Sequence, residues 1–174
     1  MSRSKEGKRA MNPEERTKKL ELYGRGYELL KAALEEFPRE MWQFKPSPRD
    51  WSIHEILIHL PDSEANSFGR FRAAIAQPGM RIMAYDQDVW ANTLDYHAQD
   101  TEDAIEIMKY IRRMTYNLLK MQPDEVWANT IDHPENGIMS MDDLLDMYAV
   151  HIPDHIEQMR ENYRVWKSQQ QTTS

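Results

Sequence analysis

The chain has no cysteine among its 174 residues. That excludes disulfides, thiolate metal sites and a cysteine nucleophile. Glycine is scarce, at six residues, and β-branched runs are few, so the backbone is biased towards helix. No apolar run approaches the roughly 20 residues that cross a bilayer. The opening Met1-Ser2-Arg3-Ser4-Lys5 leads into more charge instead of an apolar stretch. Neither a membrane span nor a secretory signal is expected, and the cytoplasm is the expected location. Basic residues are the minority: 22 Lys and Arg against 29 Asp and Glu give a formal net charge of −7. A surface of that sign repels phosphate backbones, so no nucleic-acid partner is expected. The basic cluster Arg3, Lys5, Lys8 and Arg9 reads as part of a solvated, disordered tail over residues 1–11.

What is present suits one helical domain over residues 12–168, followed by a frayed polar tail at 169–174. Asn12-Pro13-Glu14-Glu15 combines an N-cap, a proline at the first helical position and acids facing the macrodipole. Leu20, Tyr23, Tyr27, Leu30 and Leu34 then step by three and four, predicting a first helix over 13–36 that ends before Pro38. Ser52-Ile53-His54-Glu55 is a capping box for a second helix over 53–76, stopped by Gln77-Pro78-Gly79. Residues 78–100 lack clean periodicity beyond a short helix at Asp86 to Leu94. A third helix over 101–121 presents Ile105, Met108, Ile111, Met114 or Thr115, and Leu118. The turn signals His133-Pro134 and Asn136-Gly137 sit between two short extended arms. Ser140-Met141-Asp142-Asp143 caps a fourth helix running to about Trp166. Four long amphipathic helices, with a longer crossover between the second and third, predict an all-α four-helix bundle.

Chemistry concentrates on the fourth helix. Its apolar stripe, Leu144, Leu145, Tyr148, Ile152, Ile156 and Met159, is interrupted by His151 and His155. At i and i+4 the two imidazoles leave one face a turn apart, the spacing by which two histidines on a helix share a metal. Core histidines bonded to polar neighbours are the alternative. His59 lies among apolar residues of the second helix, and His59-Leu60-Pro61-Asp62 repeats as His151-Ile152-Pro153-Asp154. Each internal proline removes one backbone hydrogen bond, so both helices are expected to bend or loosen beside the histidines.

The segment Trp51-Ser52-Ile53-His54-Glu55-Ile56-Leu57, with His59-Leu60, Asp62 and Glu64, resembles the DinB/YfiT-like superfamily. So do Tyr85-Asp86 with Trp90-Ala91, His133-Pro134-Glu135 with Gly137, and Leu144-Leu145, Tyr148-Ala149, His151, His155 and Gln158-Met159. No piece is specific alone; order and spacing together are. The prolines at 61 and 153 depart from the pattern.

The resemblance implies a four-helix bundle whose three metal ligands fall on His59, His151 and His155. Three imidazoles leave a position for water or substrate, as in a catalytic site. Zinc suits them best, with nickel, iron or manganese as alternatives. Asp62 or Asp154 is expected to orient an imidazole, and Gln158 to face the site. Tyr85 and Trp90 are candidates for a lid, and His133 for a pocket or turn residue. His54 and His97 are expected to stay outside.

The implied activity is a low-molecular-weight-thiol S-transferase or thiol-dependent isomerase acting on a small molecule, the metal activating a thiol cosubstrate. A hydrolase using metal-activated water, or a non-catalytic metal-binding protein, is the alternative. The resemblance also suggests a homodimer; Trp42, Phe44 and Trp127, in or near loops, are either its surface or core.

Overall fold

Asn12 opens the first helix with a closed capping box: its side chain accepts the Glu15 amide, and the Glu15 carboxylate accepts the Asn12 amide. The protein is described by a computed structural model over residues 11–172. Of the expected N-terminal tail only Met11 is described, its amide donating to Asp142 at 3.2 Å; residues 1–10 and 173–174 lie outside the described residues.

Six helices follow one another: α1 (Pro13–Gly24), α2 (Gly26–Leu34), α3 (Ile53–Ala76), α4 (Gln87–Thr93), α5 (Thr101–Lys120) and α6 (Met141–Thr172). Strands β1 (Thr130–His133) and β2 (Gly137–Ser140) pair antiparallel, Thr130 opposite Ser140 and His133 opposite Gly137. Gly137 takes φ 71°, which the tight turn requires and glycine supplies without strain. The four long rods of the bundle are α1 with α2, α3, α5 and α6. α3 lies along α5, while α1, α2 and α3 all pack on α6. The crossover ties itself to the hairpin, the Ile82 amide donating to the Asp132 carbonyl and the Asp132 amide to that of Met80. Among the described residues no helix is long and apolar enough to cross a membrane.

Three expectations are corrected. The first rod is two helices, broken at Arg25, because the Arg112 guanidinium enters from α5 and donates through Nε to the Tyr23 carbonyl at 2.7 Å. A side chain inserted into the ladder is a known cause of such breaks. The seam of α5 is Thr101, Ala104, Met108, Arg112, Thr115 and Leu119, so Thr115 is core and Met114 is 55% exposed. α6 runs past Trp166 to Thr172, since Lys167 and Gln169–Gln171 are good helix formers and no Gly or Pro stops them. Helical structure is unbroken through Pro61 and Pro153. Trp42 and Trp127 are core, so neither supplies a dimer surface.

The apolar core has two parts. One, around Leu30, Ile56, Leu57, Met108 and Ile152, fills one end. The other, around Phe71, Leu119, Ile131, Leu145 and Tyr148, fills the end under the hairpin. Between them lies a buried polar layer. Arg112, 1% exposed, pairs with the buried Glu64 carboxylate, which also accepts the Tyr23 hydroxyl at 2.9 Å. The guanidinium lies over the Tyr23 ring at 3.9 Å.

Candidate metal centre

His59 projects from α3 towards α6, where His151 and His155 stand one turn apart. Their Nε2 atoms converge: His59 to His151 and His151 to His155 are both 3.2 Å. One nitrogen from each of the three lies within 4.8 Å of the others. Three nitrogens at 2.0–2.1 Å from one tetrahedral ion would stand about 3.3 Å apart, so the spacing fits a single metal.

The partners of the outer nitrogens bear on which inner nitrogens carry lone pairs. His155 Nδ1 is 3.0 Å from the Gln158 carbonyl oxygen, which only accepts, so Nδ1 carries the proton and Nε2 presents a lone pair. His59 Nδ1 is 3.0 Å from the Tyr85 hydroxyl. That hydroxyl interacts with the hydroxyl of Tyr96, and Tyr96 donates to the Asp62 carboxylate at 2.5 Å. The Nδ1 side of His59 is thus backed by two phenols and a carboxylate, an arrangement that can accept an Nδ1 proton and leave Nε2 as a lone pair. His151 Nδ1 is buried without a partner among the described residues. Neutral lone pairs facing one another at this range repel unless a cation or proton sits between them, and a divalent ion answers that need.

Burial keeps the imidazoles neutral. It pushes His59 down to about 3, with the His155 charge adding to the effect. His151 is held well below the ordinary histidine range by burial, then by His155, His59 and Arg112. Burial lowers His155, against a smaller opposing hydrogen bond from Gln158. Metal binding needs deprotonated imidazole, so the environment favours it.

The surroundings are aromatic. Trp51 meets His59 edge-on at 4.9 Å between centroids, Tyr85 stacks parallel to His59 at 6.1 Å, and Trp90 closes on Tyr85 at 4.8 Å. Tyr148 packs against His151 at 6.4 Å and accepts a hydrogen bond from Arg70 at 2.8 Å.

The sequence candidates separate clearly. His59, His151 and His155 meet; Gln158 and Tyr85 bond directly to imidazoles, and Trp90 backs Tyr85. Asp62 reaches His59 only through the two tyrosines, and Asp154 is exposed, because its position on α6 turns it away from both histidines. His133 is buried at the hairpin turn, its Nδ1 accepting the Glu135 and Asn136 amides. His54 and His97 stack on each other elsewhere, His54 bonded to the Tyr96 carbonyl and His97 to Glu55. Sequence reasoning missed Tyr96, which lies in a loop, and Arg70, although Arg70 is eleven residues past His59 and so returns to the same face of α3.

A helical bundle that gathers one buried and two half-buried imidazoles on one point, their Nε2 atoms facing one another, defines a class: four-helix-bundle proteins with a three-histidine cluster. The chain belongs to the DinB superfamily, whose sequence profile matches residues 22–159. It is 27% identical over 106 residues to "Putative metal-dependent hydrolase OB0782" of Oceanobacillus iheyensis, covering 61% of each chain. It is 24% identical over 112 residues to "Putative metal-dependent hydrolase YfiT" of Bacillus subtilis, covering 64% of this chain and 63% of the other. The chain thus spans under two thirds of the length of these relatives. The solved structure of B. subtilis YfiT, described as "a probable metal-dependent hydrolase with an unusual four-helix bundle topology", superposes with a TM-score of 0.82 at 21% identity. That match covers 94% of this chain and 91% of the other, and it establishes the shared fold.

Proposed function

We propose that His59, His151 and His155 hold one divalent metal ion through Nε2, and that the protein is a metal-dependent hydrolase of a small molecule. The observation that carries this is the convergence of the three Nε2 atoms at 3.2 Å with the outer nitrogens of His155 and His59 engaged by Gln158 and Tyr85. Zinc suits three neutral imidazoles and an open position; nickel, iron and manganese are the alternatives. When bound, such an ion supplies a Lewis acid and lowers the pKa of a coordinated water. The chain's own residues hold the imidazoles in the ligating tautomer and wall the centre with Trp51, Tyr85 and Trp90. The names of the relatives support water as the nucleophile. Thiol transfer would use the same centre with a sulfur atom in the open position, and in a chain without cysteine that sulfur comes from a cosubstrate.

Elemental analysis of the purified protein, followed by assay against ester, amide and halo-aromatic substrates with and without added thiol, tests both readings. Hydrolysis that needs the metal and not the thiol supports the hydrolase. Turnover only with thiol moves the assignment to a transferase. A metal-free protein, or activity that survives complete metal removal, overturns both.

A further inference from the structure

The bundle buries two arginines, and their surroundings differ in kind. Arg112 is matched on every side: Nε donates to the Tyr23 carbonyl at 2.7 Å, Nη1 to Glu64, and Nη2 to the Tyr148 carbonyl at 3.1 Å. Arg70 is also buried, 7% exposed, yet its one hydrogen-bond partner among the described residues is the Tyr148 phenol oxygen, 2.8 Å from Nη1. No described carboxylate pairs with it. A guanidinium carries five donors and keeps its charge, and the Arg70 nitrogens beyond Nη1 are not sealed in the core, so they stay open to a ligand or to water.

Two further donors stand beside it. The Tyr148 oxygen already accepts from Arg70, and its own O–H proton has no acceptor among the described residues. At the end of β1, which packs on α3, His133 is 5% exposed. Its Nδ1 accepts the amides of Glu135 and Asn136 at 3.2 and 3.3 Å, which places the proton on Nε2, and that N–H too has no described acceptor. Burial lowers the His133 pKa, the Arg70 charge adds to the effect and the Glu135 carboxylate opposes it.

We propose that Arg70, Tyr148 and His133 form the receptor for a carboxylate carried by the substrate. These three side chains offer donors and the one positive charge of Arg70, the nearby Glu135 carboxylate being exposed to solvent. A single charge matches a monoanion better than a phosphate dianion, since the Arg112 charge is already consumed by Glu64. Placement supports the role. His59 meets His151 and His155 while Arg70, further along α3, meets Tyr148, which precedes His151 on α6; the helices are therefore antiparallel and the two sites adjoin. A substrate anchored at Arg70 presents its other end to the three imidazoles. As a statement about substrate, this rests on the metal reading above; as a statement about an anion site, it does not.

The test is a titration of acetate, acetamide and inorganic phosphate into the 15N-labelled full chain, as purified and again with EDTA, following the Arg70 Nε–H resonance. Loss of that resonance in Arg70→Lys assigns it. Acetate should shift it saturably with and without EDTA, and acetamide should not. Arg70→Met should weaken acetate binding by at least about tenfold, the scale of a charge-assisted hydrogen bond, and Tyr148→Phe by less. An Arg70 signal indifferent to acetate, or unchanged affinity in a folded Arg70→Met, overturns the site. Tighter binding of phosphate than of acetate overturns the carboxylate assignment. Acetate binding that EDTA abolishes and Arg70→Met spares also overturns it, marking the metal as the anion's ligand. A protein that contains no metal and still binds acetate at Arg70 retains the anion site while the three-histidine reading fails.

Discussion

Gln158 fixes the tautomer of His155: its carbonyl oxygen, 3.0 Å from Nδ1, holds the proton on the outside of the ring and leaves Nε2 as a lone pair on the inside. A side chain that touches no reactive atom thereby decides whether a histidine can ligate. Replacing such a partner typically costs about 10–100-fold in metal affinity. Gln158→Leu should lie in that range when titrated against a competing chelator, and Gln158→Glu, which keeps an acceptor, should stay close to wild type. Equal affinities for Leu and Gln would remove this role.

The ligand set itself makes a sharper prediction. His59→Ala, His151→Ala and His155→Ala should each strip most of the metal found by elemental analysis, whereas His54→Ala and His97→Ala should not. Full occupancy in the His151→Ala, His155→Ala double variant is incompatible with the centre proposed here.

The pH dependence follows from burial. A free histidine titrates near 6.5, and the folded His59 is pushed down to about 3, so between these values the unfolded metal-free chain binds a proton that the folded one does not. Stability is therefore complete above the unfolded pKa and declines as pH falls through that window. Urea midpoints measured on metal-free protein should drop from pH 7 towards pH 4, and the slope should be shallower in His59→Gln. Identical slopes would mean that His59 is protonated in the fold.

Much of this molecule was legible in its sequence because the signals were local. Asn12 and Ser52 cap helices by bonds to residues three positions on, and a histidine in an apolar stripe stands out wherever the stripe is read. The α5 seam and the break in the first rod were less legible because both depend on partners distant in the chain. Arg112 occupies the middle of the α5 seam, where the periodicity asks for an apolar residue, and only Glu64, Tyr23 and Tyr148 from three other helices make its burial tolerable. The same guanidinium breaks the first rod at Arg25, a residue that carries no breaking signal of its own. Asp154 was attractive as a neighbour of His155 in sequence, but a one-residue step on a helix turns a side chain by about 100° and takes it out of the site.

That buried pair has a testable energetic signature. Removing one partner leaves an uncompensated charge in the core, which costs about 3–5 kcal/mol. Arg112→Met and Glu64→Leu should each show a loss of that order in urea denaturation, and the double variant should recover a large part of it. A double variant as unstable as the sum of the singles would show that the pair does not act as a unit.

Two glycines separate packing from propensity. A Cβ on Gly26 would lie 2.5 Å from Nε of Arg112 and 2.9 Å from Cδ1 of Ile152, and Arg112 is pinned by three partners, so the side chain cannot yield. Gly69, within α3, would meet nothing within 4 Å. Gly26→Ala should destabilise the fold, while Gly69→Ala should stabilise it by about 0.4–1 kcal/mol through helix propensity and the unfolded state. Thermal melts of the two variants should shift in opposite directions.

The last prediction concerns the tyrosine chain behind His59. Tyr85 bonds to Nδ1 at 3.0 Å, its hydroxyl interacts with that of Tyr96, and Tyr96 donates to Asp62 at 2.5 Å. Burial pushes the Asp62 carboxyl up, and the Tyr96 hydrogen bond partly offsets that rise. Phenylalanine at position 85 would keep the ring stacked on His59 and remove the acceptor, leaving the Nδ1 proton without a partner and the tautomer unfixed. Tyr85→Phe should therefore weaken metal binding by about 10-fold or more. Tyr96→Phe, one hydrogen bond further from the imidazole, should weaken it less, and Asp62→Asn should resemble Tyr96→Phe because the amide can still accept. The order Tyr85, then Tyr96 and Asp62, is what a chain of hydrogen bonds requires. If Tyr85→Phe binds metal as tightly as wild type while its circular dichroism spectrum is unchanged, the phenol is only a wall of the site.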